Sequence, residues 1–185
     1  EIKDNVSEII DVLGNEEEKL SVRGSAVLPL IYISEEHPEV LEPAIDPLIS
    51  LLNWEKPQIR GNAARALGNA MKEFPEKVEP HIEDIFSLLH QESTGGFLSE
   101  DRSGFVRSNA ARGLGSIAKH YPEKISHKTD ELIELLKSGG IYLEIDLIRP
   151  LAYIGTEEVK NKVSNIDESN IKENDDSHVQ DAKNI

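Results

Sequence analysis

Val22-Arg23-Gly24-Ser25-Ala26 recurs as Ile59-Arg60-Gly61-Asn62-Ala63 and again as Val106-Arg107-Ser108-Asn109-Ala110, with the arginines 37 and 47 residues apart. A second landmark keeps the same offsets: His37-Pro38-Glu39, Phe74-Pro75-Glu76 and Tyr121-Pro122-Glu123. Two landmarks in one register mark an internal repeat. A repeat of this length is a supersecondary unit that cannot bury its apolar faces alone and must stack on its neighbours. A fourth register falls at Glu144, within 143–155, where the apolar pattern continues but the arginine is gone.

Each unit reads as two helices. In the second unit the first helix starts after Pro38, a residue suited to the first helical turn. It places Val40, Leu41, Ile45, Leu48, Leu51 and Leu52 on one face. Pro43 and Pro47 fall inside it, and Pro80 takes the place of Pro43 one unit later. A kink rather than a break is the expectation. The second helix, 57–74, turns Ile59, Ala63, Ala66, Leu67 and Ala70 inward. Gly61, Gly68 and Gly115 lower helix propensity but let neighbouring helices approach closely. The expected first helices are 3–13, 38–52, 75–90 and 122–137, and the second helices 17–34, 57–74, 103–120 and 140–155. The units run about 1–35, 36–74, 75–121 and 122–156, a repeat domain of 1–156.

The stretches from Gln58 to Gly68 and from Phe105 to Gly115 resemble the second helix of HEAT repeats, especially the short repeats of the phycobilisome-lyase type. The resemblance covers roughly residues 3 to 155. It implies an all-α fold, a right-handed α-α superhelix (a HEAT-like, armadillo-type solenoid) of about four helical pairs. It also implies a structural ladder in which an acid stands six residues before each arginine. Glu17 before Arg23 and Asp101 before Arg107 match that pattern, whereas Trp54 stands before Arg60. Arg23, Arg60 and Arg107 are therefore read as ties between repeats. The family spans scaffolds, transport receptors, lyases and a few enzymes, so fold leaves function open.

The formal charge of the 185 residues is −15, which opposes general binding to nucleic acid or to an anionic membrane. The longest apolar run, 27–33, is far short of a membrane span. There is no Cys, so no disulfide, thiolate metal site or Cys nucleophile exists, in keeping with a cytoplasmic protein. The start, Glu1-Ile2-Lys3-Asp4, is not that of a signal peptide. The six His show neither the two-His helical spacing of a zinc hydrolase nor a His-Glu dipeptide. No catalytic residue, metal or cofactor is expected.

In HEAT solenoids the second helices line the concave side. Aligning them by the arginine register gives three columns: Ser25, Asn62, Asn109, Asp146; Leu28, Arg65, Arg112, Arg149; and Tyr32, Asn69, Ser116, Tyr153. All three fall away from the inward positions on the helical wheel and are expected to be exposed. Arginine clamps carboxylates with paired hydrogen bonds. Arg65, Arg112 and Arg149 would then supply charge to a groove for an acidic protein segment, and Asn62, Asn109, Tyr32 and Tyr153 polar contacts. Alternatively the arginines pair with nearby acids, as Arg149 would with Asp146 on its own helix. Trp54 is expected to pack over the turn between its two helices.

The third unit carries about ten extra residues near 91–103, where Phe97 and Leu98 follow Gly95-Gly96. They form either an exposed binding tip or a tolerated loop whose Phe folds back. Residues 157–185 read as an acidic polar tail with one short capping helix near 157–163. The tail competing for the arginine column is a further expectation. The leading expectation for function is a non-enzymatic scaffold or adaptor that binds protein or peptide, with no nucleic acid or membrane partner. The alternative is a lyase-like or chaperone-like factor acting on a cofactor-bearing or modified protein.

Overall fold

The computed structural model describes residues 2–15, 17–91, 103–138, 141–155, 157 and 161. The described residues are helical with no strand, and none of their helices is long and apolar enough to cross a membrane. The second helices of the four units are α2 (Leu20–Glu36), α4 (Pro57–Ala70), α7 (Ser103–His120) and α9 (Ile141–Ile154). They pack on one another in chain order, α2 on α4, α4 on α7 and α7 on α9. The first helices begin with α1 (Ile2–Gly14), followed by α3 (Ile45–Ser50), α5 (Pro75–Val78), α6 (Ile82–Ser87) and α8 (Thr129–Ser138). Of these, α3, α6 and α8 pack on α4, α7 and α9.

The first helices depart from the expected kink. In the second unit the chain passes through short 3₁₀ turns at Pro38–Val40 and Glu42–Ala44 before α3, and through another at Leu51–Asn53 after it. The third unit repeats this with Glu79–His81 and Leu88–His90 around α6. Pro43 and Pro80 lack the N–H that a continuous helix needs, so an i→i−4 bond is lost at the same place in both units. Proline is not the whole cause. The fourth unit has His127 at the matching position and still forms 3₁₀ turns at Pro122–Lys124 and Ser126–Lys128. The second helix of unit two ends at Ala70 and not near 74.

One continuous core runs through the units. Leu41, Ile45, Leu48, Leu51 and Leu52 from the first-helix side meet Ile59, Ala63, Ala66, Leu67 and Ala70, all buried as their spacing predicts. The spacing between second helices is set by glycine. A Cβ on Gly68 would collide with the backbone of Gly113, and one on Gly113 would lie 2.6 Å from the Ala64 carbonyl oxygen. The two backbones touch there, so α4 and α7 pack without intervening side chains.

The arginine register is used differently from unit to unit, and in the third Arg107 holds its Nε buried with no hydrogen-bond partner. Arg23 donates its Nε–H to the Leu13 carbonyl at 2.9 Å, satisfying one of the free carbonyls at the end of α1. Its guanidinium also lies 5.5 Å from the centroid of the Trp54 ring. Arg60 donates to the carbonyls of Trp54 and Glu55 at 2.5 and 3.0 Å, and to Gln91 Oε1 at 2.7 Å, joining unit two to unit three. Burial holds its pKa below the usual arginine value. Trp54 is half-buried against the core, and its ring serves the arginine of the preceding unit. Glu17 is exposed, its backbone N–H bonded to Asn15. Asp101 lies outside the described residues.

A second ladder joins successive first helices. Lys77 pairs with Glu42 at 3.0 Å, and Lys124 with Glu79 at 2.5 Å, the same positions one unit on. The hydrogen bond to Glu79 raises the Lys124 pKa. The sequence carries the signal, since Lys follows Pro-Glu in units three and four, but the pairing needs two stacked units to exist.

Candidate functional site

The exposed side of the second helices holds two adjoining concavities. The larger, about 320 Å³, lies at the C-terminal ends of α2, α4 and α7 and reaches Arg149 on α9. Five cations line it (Arg65, Lys72, Arg112, Lys119 and Arg149) against two carboxylates, Glu35 and Glu36. His120 sits on its rim with a pKa lowered by burial, then by Lys119 and Lys72, which favours the neutral ring. The smaller, about 210 Å³, is lined by Leu28, Ile31 and Tyr32 of α2, Asn62 of α4, and Phe105, Ser108 and Asn109 of α7. Arg65 and Arg112 line both, so the two form one groove.

The first aligned column is not exposed as expected. Asn62, Asn109 and Asp146 are 7, 5 and 8 % exposed. The seam between second helices is too narrow to leave them in water: a Cβ on Gly61 would stand 3.1 Å from Val106 Cα and 3.3 Å from Asn109 Cβ. Only Ser25, in the first unit, stays exposed. The second column is half-exposed at Arg65, Arg112 and Arg149. In the third, Tyr32 is 64 % exposed, whereas Tyr153 is half-buried against the core. Phe97 and Leu98 lie outside the described residues, as does nearly all of 157–185.

The arginines have partners. Arg65 pairs with Glu35 at 2.5 Å on the groove wall. Asp146 binds Arg112 Nε at 2.8 Å and accepts from the Ser108 hydroxyl, so it reaches across to α7. The aliphatic stem of Arg149 lies over Gly115. Along the lining of the larger concavity a chain of hydrogen bonds runs between α7, α4 and α2: Ser116 donates to Asn69 at 2.6 Å, Asn69 to Ser34 at 2.8 Å, and Ser34 to the Ile31 carbonyl at 2.6 Å. Lys72, Lys119, His120 and Phe105 were not singled out by the sequence. Their signal is that Lys72 and Lys119 occupy matching positions 47 residues apart.

Asp146→Ala is expected to lower stability by about 2 kcal/mol, because Arg112 and Ser108 both lose a buried acceptor. A double-mutant cycle with Arg112→Ala, read by urea unfolding, should return a coupling of about 1 kcal/mol or more. Additive losses would mean that the pair contributes nothing.

No family model and no curated protein matches this chain. Among solved structures it is similar to a crystal structure of an engineered protein from the Northeast Structural Genomics Consortium. That likeness has a TM-score of 0.66 at 22 % identity, over 97 % of this chain and 76 % of the other. It shows the fold alone. Among the described residues no cluster of three or more His, Asp or Glu is placed to hold a metal ion.

Proposed function

We propose that the chain is a right-handed solenoid of four HEAT-like helical pairs that works as a non-enzymatic scaffold or adaptor. It receives an acidic segment of a partner protein along the concave face formed by α2, α4, α7 and α9. A cytoplasmic setting goes with this reading, since a Cys-free chain gains nothing from an oxidising compartment. The observation that carries the proposal is a local inversion of charge. In a chain of net charge −15, the groove gathers five cations against Glu35 and Glu36 on its lining, and the further carboxylates of Asp146 on Arg112 and Glu73 on Lys72 still leave a positive excess. Such a field steers an acidic partner and sets its orientation. The Arg65–Glu35 pair is an exchangeable surface contact, so an incoming carboxylate can replace Glu35.

Lys72 and Lys119 are exposed and make a charge reversal that spares the fold. Partner protein captured from native lysate by the wild-type chain should be lost, by more than about tenfold, from Lys72→Glu/Lys119→Glu at unchanged helicity. Retention of the same partner by both chains would take recognition away from the groove.

A further inference from the structure

We propose that the smaller concavity anchors one large apolar side chain of the partner segment, whose acids then lie beside it toward Lys72 and Lys119. The inference rests on the groove reading above and names the motif that the groove selects. Leu28, Tyr32 and Phe105 line this cavity and are 49, 64 and 43 % exposed, three of the four large apolar side chains that stand exposed among the described residues. They come from α2 and α7, so the cluster exists only once the units are stacked. Large apolar side chains gathered in one concave place and left in water mark a docking site. The volume, about 210 Å³, is below that of ordinary small-molecule pockets and suits one side chain.

The polar groups of the lining narrow the chemistry. Ser108 donates to Asp146, and Asn109 to the Phe105 carbonyl at 3.1 Å. Asn62 Oδ1 has no hydrogen-bond partner, but it is sealed below the surface and out of reach of anything in the cavity. An incoming side chain therefore meets chiefly the apolar wall, and a polar one would lose its water for little return. Charge defines what stands next to it. Arg65 and Arg112 border both concavities, and Lys72 and Lys119 each follow one of them by seven residues. Along α7 that is about 10 Å at 1.5 Å per residue, the span of about three extended residues. An extended segment with its apolar residue in the smaller cavity thus sets a neighbouring acid at the arginines and a second acid, about three residues on, at the lysines.

The test uses the full chain and capped peptides, titrated by calorimetry. The probes carry Phe-Glu-Ser-Ser-Glu and the reverse order, Glu-Ser-Ser-Glu-Phe, so that both chain directions are tried. In the comparison peptides Ser replaces Phe, or a stiff run of Pro separates Phe from the nearer Glu. In the better direction the Phe peptide should bind about tenfold tighter than either comparison peptide. Leu28→Ser/Tyr32→Ser should remove that advantage and leave the Ser peptide unchanged. Lys72→Glu/Lys119→Glu should weaken every peptide and keep the advantage of Phe. A wild-type chain that binds the Phe and Ser peptides alike overturns the pocket and leaves the groove standing, a result that holds even if the Leu28→Ser/Tyr32→Ser chain does not fold. The same follows if that chain, with helicity unchanged, keeps its preference for Phe. Equal affinity for the Phe peptides with and without the Pro run overturns the joined motif. Absence of binding by every peptide, or binding that ignores Lys72→Glu/Lys119→Glu, overturns the groove reading and the pocket with it.

Discussion

Gly68→Ala should destabilise the protein by about 3 kcal/mol, although alanine is the better helix former by about 1 kcal/mol. The added methyl would collide with the carbonyl oxygen, Cα and carbonyl carbon of Gly113. Those atoms are backbone, so no rotamer change can relieve the overlap and α4 must move away from α7. Such a shift would disturb the hydrogen bond between Asn69 and Ser116 and move Arg65 relative to Arg112, which together border both concavities. Gly104→Ala is the matched control, since nothing lies within 4 Å of a Cβ there. It should be neutral or stabilising by a few tenths of a kcal/mol. Urea unfolding followed by far-UV circular dichroism reads both. Equal midpoints for the two variants would mean that α4 and α7 do not approach as closely as described.

The second large effect is expected at the other layer. Phe86 is the largest fully buried side chain among the described residues, 2 % exposed at the end of α6. Its ring lies 4.8 Å from Lys128 Nζ of the following unit and tilts against His90, with ring centroids 6.3 Å apart. Phe86→Ala opens a cavity between units three and four and should cost about 4 kcal/mol. Phe86→Leu keeps most of the volume and should cost about 1.5 kcal/mol. Lys128→Ala removes the cation over the ring together with its surface ion pairs to Glu83 and Glu131, a combined effect of about 1 kcal/mol. That order, Ala far above Leu and Leu above the Lys128 variant, separates packing from electrostatics. A Leu variant as unstable as the Ala variant would point instead to a role for the ring itself.

Both predictions concern the spacing of units, and spacing is where sequence reading was weakest. The inward faces were legible because apolar residues recur with helical period: Ile59, Ala63, Ala66, Leu67 and Ala70 are all buried. The same wheel placed Asn62, Asn109 and Asp146 in solvent, and there it failed. A wheel knows one helix and its nearest wall. It does not know how near the next unit stands, and glycine contacts at Gly61 and Gly68 bring that unit close enough to bury a second flank. The split first helices escaped for a related reason. Pro43 and Pro80 were visible, but 3₁₀ geometry returns in unit four without a proline at that site, so the stack holds the turns as well as the local sequence.

For the groove, the sequence supplied the arginine column and the net charge against which it stands out. It did not supply the partners. Asp146 binds Arg112 of the preceding unit and Ser108 beside it, a reach between units that spacing along one helix does not reveal. Lys72 and Lys119 join the column only because α4 and α7 end side by side.

The sequence by itself determined that the chain is helical and which apolar positions its helices bury, because these follow from periodicity within a short stretch of chain. The tertiary structure alone decided which polar groups share a seam, which cations converge and which amide is left without a partner. Those are properties of the distance between units, and that distance depends on contacts between residues some 40 positions apart, which no local pattern encodes.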